Sequence, residues 1–568
     1  MSPVALLRNA LRVLVPLAVA STFYLYLYPV FMGCAFPLPQ SLDRNESDSG
    51  AAFQDTLRQH VSRSSSSSSA APFRLLALGD PQLEGDTSIP NYYGEPFPHL
   101  ADVIRHLSFR TSHPSLRKRL QQTFHDLVDF YFDDIPHTVE SIRKRIDLFG
   151  NDFYLAHIYR TLKWWSKPTH VSVLGDLLGS QWIQDPEFER RSSRFWNRSF
   201  KGGERVPDEV AAYPSDEYGL AGLLGVQDSD AAAWQRRIIN VAGNHDVGYA
   251  GDLTVERLER FERVFGKAAY ELRFELPLSN PAANATIFHP EKNPDSVRLA
   301  PELRIVNVND MNLDTPAAEQ SLQDKTYGFI NDVINTASAV EYKGHFTLVL
   351  THIPLYKPEG ICVDAPYFSF HEGGGVREQN QLSADASRGF LEGIFGLNGD
   401  PNAPGSGRGR RGVILNGHDH EGCDTYHYIN QTLEGDERQW QVTRWPAAQS
   451  SRLPTQSGAP GLREITVRAM MGQYGGNAGL LSVWFDEDSW EWNFDFATCP
   501  LGRQYFWWAV HVFDLIVVVV MLSLGILKAC LAAGLDVDKW PRSYASALPR
   551  KDILEKKPNV RNGHIKKG

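Results

Sequence analysis

Asn244, His245 and Asp246 stand together directly after the apolar run Ile238–Ala242 and Gly243. An amide, an imidazole and a carboxylate on one tight turn at the end of a buried strand have the anatomy of a site. The pattern of an apolar run followed by Asp or His recurs four times. LLALGDPQLEGD carries Asp80 and Gln82, VSVLGDLLGSQW carries Asp176, FTLVLTHIPLY carries His352, and GVILNGHDHEGCD carries His418 and His420. Any one of these reads as an ordinary buried histidine or turn aspartate; five in order do not. Oxygen and nitrogen ligands at the carboxyl ends of strands are where an α/β sheet holds its ligands. The set suits two divalent cations sharing one carboxylate, which clamp the attacking and leaving oxygens of a phosphoryl displacement and generate hydroxide near neutral pH. Thiolates are absent from it, which favours Mn, Fe or Zn with mixed N/O ligands over a structural zinc cage.

Strands must bring these positions together. The apolar runs Phe73–Leu78, Val171–Leu174, Ile238–Ala242, Leu303–Val308, Phe346–Leu350, Val413–Leu415 and Ile465–Ala469 read as buried strands. Leu116–Phe132, His137–Phe149, Phe153–Trp165 and Val255–Phe265 read as helices between them. Strands alternating with helices predict an α/β fold, a layered β-sandwich flanked by helices. Asn197–Asp216 and Asn398–Gly412 read as loop insertions.

The 568 residues allow one large catalytic domain with attachments, and 42% hydrophobic content is that of a folded core. A net charge of −10 argues against a nucleic-acid partner. Residues 1–36 carry Arg8 and Arg12 and then a mostly apolar run close to spanning length, read as an uncleaved anchor with a cleaved signal as the alternative. Residues 37–72, ending in Ser64–Ser69, read as a flexible tether, and 73–500 as the catalytic domain. Residues 505–531 form a second apolar run with Trp507 and Trp508 at its edge, followed by a basic tail over 532–568. The positive-inside rule puts both ends in the cytosol and the middle in the lumen, in keeping with sequons at Asn45, Asn197, Asn284 and Asn430. With Cys34 and Cys530 in or beside apolar segments, Cys362, Cys423 and Cys499 leave at most one disulfide for the globular part. His511 and Asp514 lie one turn apart inside the second span, and pairing with each other or with the first span is the simplest reading.

The ordered motifs resemble those of the calcineurin-like metallophosphoesterase superfamily, whose pattern D-x-H, G-D, G-N-H-[DE], H and G-H-x-H covers Phe73–Thr498 here. The resemblance implies that Asp176 is the carboxylate shared by both metals. It puts Asp80 and His420 on the first metal, and Asn244, His352 and His418 on the second. His245 resembles the catalytic histidine, with Asp246 orienting its imidazole. Gln82 departs from the pattern: an amide replaces an imidazole on the first metal, which weakens or retunes that site.

GDPQLEGD, GNDFYLAHIYR, GDLLGSQW, GNHDVGYAGD and the paired anchors look like the fungal enzymes that remodel GPI anchors in the endoplasmic reticulum. That resemblance implies Mn-dependent removal of ethanolamine phosphate from a mannose, the second, of a GPI-linked lipid glycan at the lumenal face of the membrane. Two alternatives stand beside it. One keeps the metals and changes the substrate to another lipid or a protein phosphoester. The other reads Gln82 as the mark of a metal-depleted lumenal scaffold or cargo-sorting factor, with sorting receptors as partners. Asn151, Asp152, Tyr154, His157, Trp164, Trp165 and Trp182 are further candidates to shape a pocket, with packing as the plainer reading.

Overall fold

The structure, a computed structural model, describes residues 2–39, 70–90, 94–108, 115–216, 219–279, 300–433, 438–535 and 537. Residues 40–69 of the tether, the sequons at Asn45 and Asn284 and the basic tail from 538 lie outside these residues. Of the other two sequons, Asn197 is exposed and Asn430 half-buried.

In chain order the strands are β1 (Phe73–Leu78), β2 (His170–Val173), β3 (Glu204–Arg205), β4 (Gly222–Leu223), β5 (Arg237–Asn240), β6 (Tyr270–Glu275), β7 (Glu302–Asn307) and β8 (His345–Leu350). They continue as β9 (Phe368–Phe370), β10 (Val376–Gln379), β11 (Arg411–Asn416), β12 (Cys423–Ile429), β13 (Trp440–Arg444), β14 (Gly461–Thr466), β15 (Asn477–Asp486) and β16 (Glu491–Pro500). One sheet has the order β16-β15-β1-β2-β5-β3 and the other β13-β12-β14-β11-β8-β7-β6-β4, with β9 and β10 as a separate ribbon. The core lies between the two sheets. Phe73, Leu75, Ile239, Leu481 and Trp492 from the first meet Leu272, Leu303, Phe346, Val413 and Ile465 from the second. This is face-to-face sheet packing.

The central strands pair in parallel, β1 with β2 and β2 with β5 in one sheet, and β7 with β8 and β8 with β11 in the other. Strands buried on both faces carry mostly apolar runs, which is why FRLLAL and FTLVL are legible without alternation. Helices flank the sandwich: Asn240 Nδ2 donates to Phe265 O of the Val255–Phe265 helix, and Arg304 Nη1 to Val333 O of the Gln320–Asn335 helix.

Several expectations change. His137–Phe149 and Phe153–Trp165 are one helix, Ile135–Ser166, because burial of Leu148, Gly150, Asp152 and Leu155 outweighs the local weakness at Gly150. Asn197–Asp216 contains β3, and Asn398–Gly412 contains a 3-10 turn, Pro404–Gly407. The globular part holds two disulfides, Cys34–Cys499 and Cys362–Cys423, with Cys530 free. Cys34 escapes the apolar segment because that helix ends at Phe31.

Among the described residues, two helices are long and apolar enough to cross a membrane, Pro3–Phe31 and Gln504–Ala532. The chain forms two compact units, Tyr26–Trp507, and Met1–Leu25 with the chain from Trp508. Within the second unit Thr22 Oγ1 donates to Asp514 Oδ2 at 2.8 Å, which partners the carboxylate in its apolar setting.

Candidate metal centre

Each sequence-predicted ligand follows the carboxyl end of a strand: Asp80 and Gln82 after β1, Asp176 after β2, Asn244 after β5, His352 after β8, and His418 and His420 after β11. The turns are tight enough to force unusual backbone. Asp80, Gln82, Asp176 and His418 have φ of +46°, +41°, +51° and +69°, the left-handed region that side chains avoid. The glycines ahead of them are needed for room. A Cβ at Gly175 would lie 2.1 Å from His352 Nδ1, and one at Gly243 would lie 2.2 Å from Asp176 N.

Hydrogen bonds set the ring tautomers. His352 Nδ1 lies 2.7 Å from Leu174 O and His418 Nε2 lies 2.9 Å from Gln379 O, so each nitrogen donates to a carbonyl. The other nitrogens, His352 Nε2 and His418 Nδ1, are then bare lone pairs, and they face each other at 3.2 Å. Asn244 Oδ1 lies 3.1 Å and Asp176 Oδ1 3.3 Å from the same His352 Nε2. With both rings neutral, four acceptors converge with no hydrogen among them. Only a cation or an extra proton relieves that arrangement, so the donor set fits a divalent metal.

Asp80, Asp176 and His420 bring a second set of ligand atoms together within 4.8 Å. Asp80 is held by the His418 N–H, at 3.0 Å to Oδ1 and 3.2 Å to Oδ2. Gln82 enters this set with its amide nitrogen, 3.0 Å from Asp176 Oδ2 and 3.1 Å from His420 Nε2. In this orientation the amide donates hydrogens to two would-be ligands, where an imidazole would offer a lone pair to the metal.

The electrostatics agree with cation binding. Burial pushes the Asp80 carboxyl up to about 8. Burial also works against charge at Asp176, but His245 and His352 outweigh it and hold that carboxyl below its usual range. His352 is the reverse case: burial opposes its cation, yet the Asp176 carboxylate raises it to about 10, so without a metal His352 takes the extra proton that a bound cation displaces. Burial and the neighbouring His352 lower His418 to about 3.

His245 lies at the rim. Its Nε2 is 3.7 Å from Asp176 Oδ2, its side chain is 35% exposed, and its own N–H donates to Asp176 Oδ1 at 2.8 Å. Asp246 does not orient that imidazole, which corrects the expectation. Its carboxylate accepts the N–H groups of Leu177, Leu178 and Gly243 at 3.0–3.1 Å, while His245 Nδ1 has no hydrogen-bond partner among the described residues. Asp246 therefore joins the β2 and β5 turns.

Asp310, after β7, was not among the predicted residues. Its carboxylate accepts the N–H groups of His352 at 3.2 Å and Ile353 at 3.0 Å, holding the β8 turn in place. The signal was a sixth strand end, LRIVNVND. The pocket candidates fall elsewhere. Asp152 is buried against Arg194 and Arg198. Tyr154 and His157 pack at Gly502 and Tyr26. Trp165 Nε1 donates to Tyr26 O, Trp164 is exposed, and Trp182 lies exposed under Arg257. Tyr474, outside that group of candidates, reaches the site, its ring 4.9 Å from that of His420.

No family model matches the chain. It is 32% identical to Protein TED1 of Saccharomyces cerevisiae over 421 residues, 67% of this chain and 78% of that protein. An uncharacterized protein of Schizosaccharomyces pombe is 23% identical over 406 residues, covering 66% of this chain and 81% of its own length. Metallophosphoesterase 1 of Danio rerio is 22% identical over 301 residues, 51% of this chain and 62% of that protein.

Proposed function

The chain belongs to the family of Protein TED1 of Saccharomyces cerevisiae, and we propose that it is a membrane-held, metal-dependent phosphodiesterase that removes ethanolamine phosphate from a mannose, the second, of GPI anchors. A relative named as a metallophosphoesterase and the Asp/His clusters support the coarser part, metal-dependent phosphoester hydrolysis. The observation that carries it is the pair of facing imidazole lone pairs at His352 and His418, 3.2 Å apart beside Asp176 and Asn244.

Asp176, Asn244, His352 and His418 would hold one cation, and Asp80, Asp176 and His420 the other, with Mn preferred over Fe or Zn. Bound there, the ions would polarise the phosphoryl oxygens and lower the pKa of water. The protein's own part is positioning and proton transfer. Leu174 O and Gln379 O hold the tautomers of His352 and His418, and Asp310 and Asp246 hold the turns. His245, half-open beside the shared carboxylate, is the group placed to give a proton to the leaving oxygen.

The finer substrate draws support from three features. A cleft beside His418 is lined by Asp364 and Asp419, carboxylates suited to an ammonium-bearing substrate, with the Lys357 of the same lining already paired to Glu464 at 2.7 Å. Two helices of spanning character suit a lipid-linked glycan, and both disulfides suit the oxidising lumen of the endoplasmic reticulum. The scaffold reading draws on one observation, the Gln82 amide already bonded to Asp176 and His420.

Mass spectrometry of GPI glycans from cells lacking this protein tests the substrate: ethanolamine phosphate is retained on the second mannose, and an unchanged glycan profile overturns it. Hydrolysis of bis(4-nitrophenyl) phosphate by the purified full chain with Mn tests the chemistry alone. A metal-free, inactive chain returns the scaffold.

A further inference from the structure

The segment between β1 and β2 carries a surface that the metal centre does not use. Leu116–Asp129 and Ile135–Ser166 join through the π-helical turn Phe130–Asp134 into one unbroken helical run. Leu116, Phe124, Tyr131, Val139, Ile146 and Phe153 mark an exposed stripe along it at spacings of seven or eight, with further apolar residues between them at three or four. From Leu116 to Phe153 the stripe runs about 56 Å at the helical rise of about 1.5 Å per residue.

Two acidic side chains of this run are turned inward while large apolar ones face out. Asp126 and Asp134 are only 4% and 3% exposed, paired with His106 at 3.2 Å and His99 at 2.7 Å on the Pro98–Leu107 helix. On the outer face Phe124 is 69% and Phe132 67% exposed. A helix in water is arranged the other way round, and an apolar strip of this length is more than a soluble surface leaves wet.

Two features identify what covers it. Arg117, Lys118 and Arg145 are exposed along the same run, of the sign that anionic headgroups attract, while Arg143 is paired with Glu140 at 2.6 Å. The far end of the same helix packs, inside the Tyr26–Trp507 unit, on residues of both apolar helices. The His157 ring lies 4.9 Å from Tyr26, and the Tyr154 ring 6.5 Å from Trp507. Within that unit the helix that carries the stripe thus ends beside Tyr26 and Trp507, residues of the two apolar helices.

We propose that the Leu116–Phe153 stripe lies on the surface of a lipid bilayer, its apolar side chains at the acyl boundary and its basic fringe among the headgroups. This is independent of the phosphodiesterase reading: the surface binds lipid whether or not the metal centre turns over.

The test uses the full chain with Cys530→Ser and its disulfides intact, carrying one new cysteine at a time. Phe124→Cys and Ile142→Cys lie on the stripe, and His137→Cys is exposed on another side of the helix, so none removes packed surface. Each is labelled with an environment-sensitive fluorophore and reconstituted into phosphatidylcholine–phosphatidylserine vesicles, with and without nitroxide-bearing acyl chains. Positions 124 and 142 are expected to emit to the blue and to be quenched about twofold or more by the nitroxide lipid, with position 137 unaffected. Water-like emission at all three positions overturns the proposal in favour of a soluble partner. Blue emission at 124 and 142 without nitroxide quenching overturns it in favour of a second copy of this chain.

Discussion

The amide nitrogen of Gln82 lies 3.1 Å from His420 Nε2 and makes its other contact with Asp176 Oδ2 at 3.0 Å. A neutral amide therefore shares the ground that a cation would hold, and the two metal positions are unequal. The set formed by Asp176, Asn244, His352 and His418 has no such occupant. Gln82→His replaces a donor by a lone pair and is expected to tighten the weaker site by about ten- to a hundredfold, the range that supporting groups command. Metal titration by calorimetry checks it, and a loss of affinity would show a pocket built around the amide.

Asp176→Ala removes the carboxylate common to both ligand sets, with Oδ1 near His352 and Oδ2 near Gln82. Both metal content and hydrolysis should vanish. Elemental analysis of the purified full-length variant reads the first directly, and a variant that kept two ions would end the bridging role.

His245→Ala should separate binding from turnover. The imidazole belongs to neither ligand cluster, and the N–H that holds Asp176 is backbone, so it survives the substitution. Metal content should stay at the wild-type level while kcat drops about 10²–10⁴-fold, the usual worth of a positioned proton donor. Loss of metal instead would make His245 a ligand.

Gly243→Ala tests how closely two turns approach. Its Cβ would sit 2.2 Å from Asp176 N and 2.3 Å from Asp176 Oδ1, so the β2 turn must move. A stability loss of about 1–3 kcal/mol and weakened metal binding are expected together in denaturant unfolding and metal titration. Neither effect alone fits the geometry.

His170 sets a pH dependence away from the metal centre. Its ring is buried among Phe73, Trp234 and Phe274, and burial, with Arg74 adding to it, lowers its pKa to about 3. The unfolded chain, with a histidine near pH 6.5, binds the proton more readily. The contribution is therefore whole above about pH 6.5 and is lost as pH falls toward 3. The slope is at most about 1.4 kcal/mol per pH unit. His170→Phe should flatten that part of the stability–pH curve in urea unfolding, and an unchanged slope would assign it to other groups.

The parts legible in the sequence are those where burial leaves a run of one chemistry. β1, β7 and β8 are buried nearly throughout and each holds a short apolar stretch, so most of the motif-bearing strand ends could be placed from composition alone. β15 and β16 were missed because their runs are interrupted by glycine, serine and acidic residues that only the pairing of ten positions makes into a hairpin. Within the site, the acceptors Leu174 O and Gln379 O are backbone atoms, identical in every residue type and so invisible to a motif. Asp246 was misassigned for a related reason. Adjacency to His245 suggested a side-chain partner, whereas a carboxylate in the first turn of a short helix finds nearer donors in backbone N–H groups.

Cys34 and Cys499 are separated by 465 positions and joined by one covalent bond. The polypeptide between them is a closed circuit, with one apolar helix leaving just before the knot and the other just after it. A protease that cuts once anywhere inside the circuit releases nothing: the two pieces stay tied and run as one species until a reductant is added. Reduction then changes the gel pattern of a nicked sample by separating the fragments, a signature that an open chain with the same five cysteines would lack.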